Sequence, residues 1–179
     1  MNGQRTHNPY DHLPEVPSFT VTSTDVADGQ PMPQSMMSGL LDAGGSDTSP
    51  QLSWSGFPAE TRSFAVTVFD PDAPLPSGYW HWAVHDIPAS VTSLASGAGS
   101  ADGAGLPPGA IQTAGDAGHA QFVGAAPPPG HGPHRYFVAV HALDVPTLGV
   151  PAGSSMTMMA WMLYLHTIGR ALIVPTAER

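Results

Sequence analysis

Stretches in which apolar and polar residues alternate are the clearest structural signal in this chain. Alternation over roughly four to eight residues is typical of a β-strand with one buried face. It predicts strands in 18–26 (SFTVTSTDV), 63–70 (SFAVTVFD), 79–88 (YWHWAVHDIP) and 135–143 (RYFVAVHAL), with a further short strand among the turn residues of 44–58. These segments are rich in the β-branched and aromatic residues that favour strands. The pattern therefore predicts a mainly β protein.

The segment 153–174 has a different pattern, which predicts a late helix packed on the sheet. Its small residues at 153–155 suit a helix N-cap, and Pro175 suits a helix stop. Apolar residues follow the cap at helical spacing, namely Met158, Met162, Leu165 and Leu172. We predict that its methionine-rich start (SSMTMMAWM) belongs to the core, with a homodimer interface as the alternative. His166, Gly169 and Arg170 interrupt the run, whereas a transmembrane helix needs about 20 mostly apolar residues.

The remaining segments read as irregular surface structure within one domain. Residues 1–17 are polar and contain prolines, which predicts a surface strap. Residues 89–121 are rich in Gly, Ala and Ser, which predicts a long loop region in which 110–113 pair briefly. The chain has 179 residues and no repeat, so we expect a single domain over 1–179.

Composition excludes several classes of function. Charged residues make up 11% of the chain, the net charge is −9, and all five basic residues are arginines. This balance disfavours nucleic acids and anionic membranes as partners. There is no cysteine, which rules out disulfides and thiol nucleophiles. The first residues lack the apolar core of a signal peptide, so we expect a cytoplasmic protein.

The first candidate motif is DPDAPLPSGYWHWAVHDIP, residues 70–88. Asp70 and Asp72 directly follow a predicted strand, where residues two apart share a face at roughly 6.6 Å. The prolines then stiffen a rim that holds two carboxylates. The alternative is a strand that ends in a polar turn, in which an aspartate caps backbone amides. A glycosidase pair or a serine-hydrolase elbow finds no further support in the chain.

The histidines of this motif do not form a metal pair. If the strand is regular, His81, Ala83 and His85 alternate with Trp82 and Val84, and four residues of strand separate two histidines by roughly 13 Å. One ion cannot bind both. We predict no metal and no cofactor, keep His81 as a pocket candidate, and assign His85 a structural or surface position.

The second motif is PPPGHGPHRY, residues 127–136. Its glycines let backbone amides approach an anion closely, and a histidine beside them can donate a hydrogen bond to phosphate. Arg135 alternates away from His134 and Tyr136, so we predict that it pairs with an acid and braces the loop. For His134 the alternative is a strand-edge histidine with a structural partner.

Together the two motifs resemble those of the phosphatidylethanolamine-binding protein family, in its prokaryotic, Raf-kinase-inhibitor-like branch. The likeness spans SPQLSWSGFPAETRSFAVTVFDPDAP from position 49, HWAVHDIP from 81, GAAPPPGHGPHRYFVAVHAL from 124 and the late helix. It implies a large antiparallel sheet packed on a smaller sheet, with peripheral helices. It also implies that the motifs meet at one small pocket for phosphate or a phosphoethanolamine-type head group. The pocket residues implied are Asp70, Asp72, Ala73, Pro74, Trp80, His81, Gly124, Pro127, Pro128, Gly132, His134 and Tyr136.

The chain departs from the family pattern at three places. AGDAG, with Gly115 before Asp116, stands where bacterial relatives commonly have Asn-Asp. Ala126 replaces the proline of a usual Gly-Pro. The ending IVPTAER lacks the tyrosine of many bacterial relatives, which puts a tyrosine lid in doubt and predicts a more open pocket.

Three functions are compatible with these observations. The leading hypothesis is a binding protein for a phosphate-bearing or anionic small molecule or lipid head group, which prefers a zwitterion or monoanion. The second is a regulator of a protein partner, such as a kinase or serine protease, with an incidental pocket. The third, an enzyme acting on a phosphorylated small molecule, lacks a nucleophile, metal set or cofactor motif, so we predict that the protein is not an enzyme.

Overall fold

The computed structural model describes residues 7–179, and the predicted strap over 1–17 therefore lies partly outside the described residues. The described part consists of short and long β-strands with one α-helix and one short 3-10 helix, Gln34–Met36. The strands and the helix are, in chain order, β1 (Thr20–Thr22), β2 (Leu52–Ser55), β3 (Ser63–Asp70), β4 (Tyr79–Pro88), β5 (Ser93–Leu94), β6 (Ile111–Gln112), β7 (His134–Arg135), β8 (Phe137–Leu143), α1 (Met156–His166), β9 (Thr167–Ile173) and β10 (Thr176–Ala177).

A five-stranded antiparallel sheet forms the centre of the fold, in the order β6-β4-β3-β8-β9. A smaller three-stranded sheet has the order β1-β2-β5, and β7 pairs with β10. This arrangement confirms the predicted mainly β fold, with a large antiparallel sheet, a smaller one and a late helix. The strands predicted for 63–70 and 79–88 have the predicted bounds.

The alternation along β3 explains the two layers of the core. Phe64, Val66 and Val68 belong to the main apolar cluster, together with Leu52 and Trp54 of the smaller sheet. The intervening residues face the other way, where Ala65 packs in a second cluster with α1. Full burial of one large apolar side chain stabilises the fold by about 1.5–3 kcal/mol. This double burial fixes the register of β3, at whose end Asp70 lies.

The late helix is shorter than predicted. Ser155 caps it, since its hydroxyl oxygen accepts a hydrogen bond from the Met158 amide at 3.3 Å. The helix ends at His166, and residues 167–173 form β9 beside β8, so the prediction of a helix up to 174 was wrong. The cause is tertiary: the Asp144 amide donates to the His166 carbonyl at 3.1 Å and the Asp144 carboxylate contacts the His166 ring at 2.9 Å. These contacts turn the chain into the sheet.

The buried face of α1 also differs from the predicted one. Met156, Met159 and Leu163 are buried, whereas Met158 and Leu165 are exposed. The helix is apolar on nearly all sides, so helical spacing could not select the face that packs. The exposed side contains Trp161, whose ring stacks on Tyr164 at 5.4 Å between centroids. The methionine-rich segment is thus divided between core and surface.

The predicted loop region 89–121 contains two short strands. β5 extends the smaller sheet, and β6 pairs with β4 at the edge of the large sheet, where brief pairing of 110–113 was predicted. The rest of the region consists of turns and irregular structure. Among residues 7–179, no helix is both long and apolar enough to cross a membrane.

Candidate functional site

A bulge in β4 places His81. Phe69 pairs with Trp80 and Val68 pairs with Trp82, so His81 has no partner on β3. The predicted regular alternation therefore fails at this position, because a bulge inserts one extra residue and re-aims the side chain. The His81 ring lies instead against the ring of Tyr136, with 5.1 Å between centroids.

The two motifs meet at a cavity of about 200 Å³. The turn after β3 forms one wall, the glycine- and proline-rich segment forms another, and His81 lies between them. The lining residues are Leu41, Asp70, Ala73, Pro74, Leu75, Tyr79, His81, Ala126, Pro127, Pro128, His134 and Tyr136. Eight of the twelve residues that the family resemblance implied are among these, and the cavity joins segments more than fifty positions apart.

Four of the implied residues do not line the cavity. Asp72 is turned to Arg135, as described below. Trp80 lies on the other face of the sheet, where its ring packs on Phe69 at 4.4 Å between centroids. Gly132 belongs to the turn before β7. Gly124 packs closely against the main chain of Met36 and Met37.

Gly124 explains how a distant loop reaches the cavity. A side chain at this position would collide with the main chain of Met36 and Met37, so only glycine permits the approach. The Gly124 amide donates to the Asp47 carboxylate at 2.7 Å, and the same carboxylate holds the loop 38–46, which contains Leu41. Leu41 has no recognisable motif around it, and sequence analysis missed it.

The other missed lining residues lay within the quoted motifs. Leu75 and Tyr79 belong to the stretch 70–88, and Ala126 belongs to the segment before the second motif. Their apolar or aromatic character in a proline-rich turn was an available signal. Ala126, one of the positions at which the sequence was expected to depart from the family pattern, lies in the cavity wall itself.

Asp70 combines both interpretations of the first motif. Its Oδ1 accepts the amides of Asp72 (2.7 Å) and Ala73 (3.0 Å), which caps the turn. Its Oδ2 lies 2.7 Å from Nδ1 of His134. An ionised carboxylate oxygen can only accept a hydrogen bond from a ring nitrogen at this distance, so Nδ1 of His134 is the donor. Asp70 is therefore a turn cap and a cavity residue at once.

Asp72 and Arg135 form a bidentate ion pair. Nε and Nη2 of Arg135 donate to the two carboxylate oxygens at 2.8 and 2.9 Å, and the Arg135 amide donates at 2.9 Å. The prediction that Arg135 pairs with an acid and braces the loop is confirmed. The hydrogen bonds to Asp72 raise the pKa of Arg135 above its ordinary value. The charge of Asp72 is thus neutralised beside the cavity.

His81 presents an acceptor to the cavity. Its Nδ1 lies 2.8 Å from the Val123 carbonyl oxygen, which can only accept, so Nδ1 carries the proton. Burial lowers the pKa of His81 below its ordinary value, and the bond to Val123 opposes this only in part. The ring is therefore neutral near pH 7, and Nε2 is left as an acceptor.

His134 is fully buried and both ring nitrogens have partners. Nδ1 faces Asp70, and Nε2 lies 2.7 Å from Nδ1 of His131. The two imidazoles and the carboxylate form a chain that leads from the exposed loop to the cavity. His131 was not among the predicted site residues, although it stands in the second motif.

The Tyr136 hydroxyl lies in the cavity wall, is buried, and has no hydrogen-bond partner among residues 7–179. The residue is 1% exposed. Burial raises the pKa of Tyr136, and the charges of Asp70 and Asp72 raise it further, so the hydroxyl keeps its proton. A buried hydroxyl of this kind is an unused hydrogen-bond donor.

The charges around the cavity suit a small polar group. Both aspartates are engaged, and the Arg179 guanidinium lies near Tyr136, where it donates to the carbonyls of Pro127 (2.8 Å) and Asp42 (2.9 Å). No cluster of three or more His, Cys, Asp or Glu side chains within 7–179 has the arrangement of a metal site. The cavity thus offers a hydroxyl donor, an imidazole acceptor and a nearby positive charge.

Comparison with known proteins agrees with this fold. The family model described as phosphatidylethanolamine-binding protein matches residues 22–178. The chain belongs to the phosphatidylethanolamine-binding protein family. Its curated relatives include YbcL of Escherichia coli, 45% identical over 90% of this chain and 88% of that protein. YbhB of the same organism is 41% identical over 84% of this chain and 94% of that protein.

Solved structures of family members show the same architecture. The crystal structure of E. coli YbcL, described as a new member of the mammalian family, matches with a TM-score of 0.88 over 90% of this chain and 99% of that one, at 45% identity. A putative family homologue from Chlamydia trachomatis matches with a TM-score of 0.74, at 29% identity over 90% and 98% of the two chains.

Residues 115–116 and the C-terminus, where the sequence was expected to depart from the family pattern, have defined main-chain contacts in the structure. The Asp116 carboxylate accepts the Trp80 amide at 2.8 Å, which fixes the start of β4. The last residues run beside the site, since β10 pairs with β7. Arg179 therefore stands near the cavity in the ending that lacks the tyrosine.

Proposed function

We propose that this protein is a small binding protein whose pocket holds a compact anionic head group, such as phosphate or phosphoethanolamine. The Tyr136 hydroxyl carries the proposal, because it is a buried donor in the wall of a preformed cavity and has no partner among residues 7–179. Buried polar groups are nearly always hydrogen-bonded, so such a group favours a missing ligand. Family membership supports a binding role, and we propose no catalytic step.

The size of the cavity favours a head group over a larger ligand. Its volume of about 200 Å³ lies below the roughly 300–1,000 Å³ typical of sites for drug-sized ligands. Leu41 and Leu75 stand at its rim and are substantially exposed. A head group attached to a lipid would place its apolar continuation against these leucines, whereas free phosphate would leave them in water.

The protonation state of His81 favours a ligand that carries a proton. Because Nδ1 donates to Val123, the neutral ring offers only an acceptor at Nε2. A protonated phosphate oxygen or an ammonium group satisfies this acceptor, while Tyr136 donates to an anionic oxygen. We therefore expect a preference for a monoanion or a zwitterion. Binding of inorganic phosphate should weaken as the pH rises and its monoanion loses the proton that satisfies His81.

Thermal unfolding with a panel of small ligands tests the proposal. The panel contains inorganic phosphate, O-phosphoethanolamine and phosphocholine, whose quaternary ammonium has no N–H donor, each at pH 5.5 and 7.5. A ligand at ten times its dissociation constant adds about 1.4 kcal/mol, or roughly 3–5 °C for a chain of this length. We expect a larger shift with phosphoethanolamine than with phosphocholine, and a phosphate effect that fades at pH 7.5. The absence of any shift at tens of millimolar would overturn the proposal.

A second candidate function, regulation of a protein partner such as a kinase or serine protease, is favoured by one other observation. The outer side of α1 exposes Met158, Trp161, Tyr164 and Leu165, each between 44% and 55% accessible. Large exposed apolar patches often mark interaction surfaces, and self-association is another use of this face. Sedimentation of the parent and a Trp161→Ser variant measures self-association through this face. If both proteins are monomers, the face does not serve self-association, and the regulatory function would require a different protein as its partner.

A further inference from the structure

His131 contacts Nε2 of His134, the one ring nitrogen of His134 that Asp70 leaves available for a hydrogen bond to a ligand. Nδ1 of His134 is held by Asp70 at 2.7 Å, and Nε2 contacts Nδ1 of His131 at 2.7 Å. The two rings are tilted by 66°, with 5.0 Å between centroids, which directs a nitrogen of one ring at a nitrogen of the other. His134 is fully buried while His131 is in place.

A ligand in the cavity therefore cannot hydrogen-bond His134 while this contact persists. His134 lines the cavity, yet an imidazole has two ring nitrogens and no further hydrogen-bonding group. Tyr136 and His81 remain available, as shown above. His134 joins them only when His131 withdraws.

We infer that His131 is an internal substitute for the ligand, and that a bound phosphate-type oxygen exchanges with His131 at Nε2 of His134. This inference rests on the proposed function, because it concerns how the same pocket takes up its ligand. One hydrogen bond breaks and one forms at the same nitrogen. If Nε2 of His134 is protonated it donates to an anionic oxygen, and if it is not, it accepts from a protonated one.

The surrounding loop permits this movement. His131 is exposed, whereas His134 is buried in β7. Gly130 and Gly132 flank His131 with φ of 73° and 85°, in the left-handed region that glycine adopts without strain. Two main-chain hydrogen bonds hold this loop. The Gly130 amide donates to the Arg179 carbonyl at 2.8 Å, and the His131 amide donates to the Pro128 carbonyl at 3.1 Å. Rotation of the His131 side chain frees Nε2 without moving these amides.

Removal of His131 should therefore strengthen ligand binding. The parent must break a contact that His131→Ala no longer has, and one hydrogen bond has a net worth corresponding to about a two- to tenfold change in affinity. The variant should also unfold at a lower temperature than the parent without ligand, because Nε2 of His134 loses its partner. Phosphate should then raise its melting temperature more than that of the parent.

Calorimetric titration with inorganic phosphate, and separately with O-phosphoethanolamine, at pH 6 compares the parent, His131→Ala and His119→Ala. His119 is another exposed histidine in a glycine-containing turn, and its removal controls for the loss of an exposed imidazole. We expect tighter binding in His131→Ala alone. Equal or weaker binding in His131→Ala than in the parent overturns the exchange while leaving the proposed function intact. If none of the three proteins binds phosphate or phosphoethanolamine, the proposed function fails, and the exchange fails with it.

Discussion

Removal of the Tyr136 hydroxyl, which has no hydrogen-bond partner in the part of the chain that the structure describes, should stabilise the free protein. The Tyr136→Phe variant keeps the ring that packs on His81 and the amide that donates to the Pro175 carbonyl at 2.9 Å. It removes only a buried hydroxyl that has no partner within 7–179. An unsatisfied buried polar group costs about 1–3 kcal/mol.

The expected gain is about 1–2 kcal/mol, because the substitution also removes the dispersion contacts of one oxygen. For a chain of this length that gain raises the melting temperature by roughly 2–8 °C. The assay is thermal and urea unfolding in a buffer that contains no phosphate. Tyr164→Phe is the matched control, since Tyr164 lies on the exposed side of α1 and its hydroxyl is not trapped.

The same substitution should weaken ligand binding, because the hydroxyl donates to the ligand in the proposed complex. A more stable protein with lower phosphoethanolamine affinity is the signature of a group kept for binding and not for folding. If Tyr136→Phe is neutral or destabilising without ligand, the hydroxyl has a partner and the reasoning is wrong. If it stabilises the protein and leaves affinity unchanged, the ligand does not use this donor.

Two further predictions concern stability. Asp72→Asn should lower the free energy of unfolding by about 1–3 kcal/mol, since it removes the charge that pairs with the partly exposed Arg135. Urea unfolding measures this loss, with Asp102→Asn as the control at an exposed aspartate. Equal losses of stability in the two variants would contradict a special role of the Asp72–Arg135 pair. Burial lowers the pKa of His141 from 6.5 to about 3. As the pH falls below 6.5, the unfolded chain therefore takes up a proton that the folded protein does not bind. The free energy of unfolding then falls by about 1.4 kcal/mol per pH unit. The slope between pH 6 and pH 4.5 should be shallower in His141→Asn, and identical slopes would refute the assignment.

Much of the fold follows from alternation alone, and the β3 and β4 segments show why. β3 is flanked by strands on both sides and covered on both faces, so its apolar run has only one stable register. Asp70 could be placed at its end because the polar, proline-rich turn begins where the apolar pattern stops. The ion pair of Arg135 was likewise predictable, since strand alternation turned it away from His134.

What the sequence did not show depends on distant contacts. The bulge at His81 arises from the pairing of β4 with β3, and nothing in YWHWAVHDIP marks it. The end of α1 depends on Asp144, and the arrival of Leu41 at the cavity depends on the carboxylate of Asp47. In each case the local pattern permits several outcomes and a tertiary partner selects one.

The binding of a compact phosphate-bearing head group in this cavity is tested most directly by side-chain NMR. Ring resonances of histidine and tyrosine are followed while O-phosphoethanolamine is added to the parent protein. We predict saturable shifts of His81, His134 and Tyr136, with none at His119 or Tyr164. Saturable shifts confined to the α1 side, or no saturable shift at tens of millimolar ligand, would contradict a head-group site at the meeting of the two motifs.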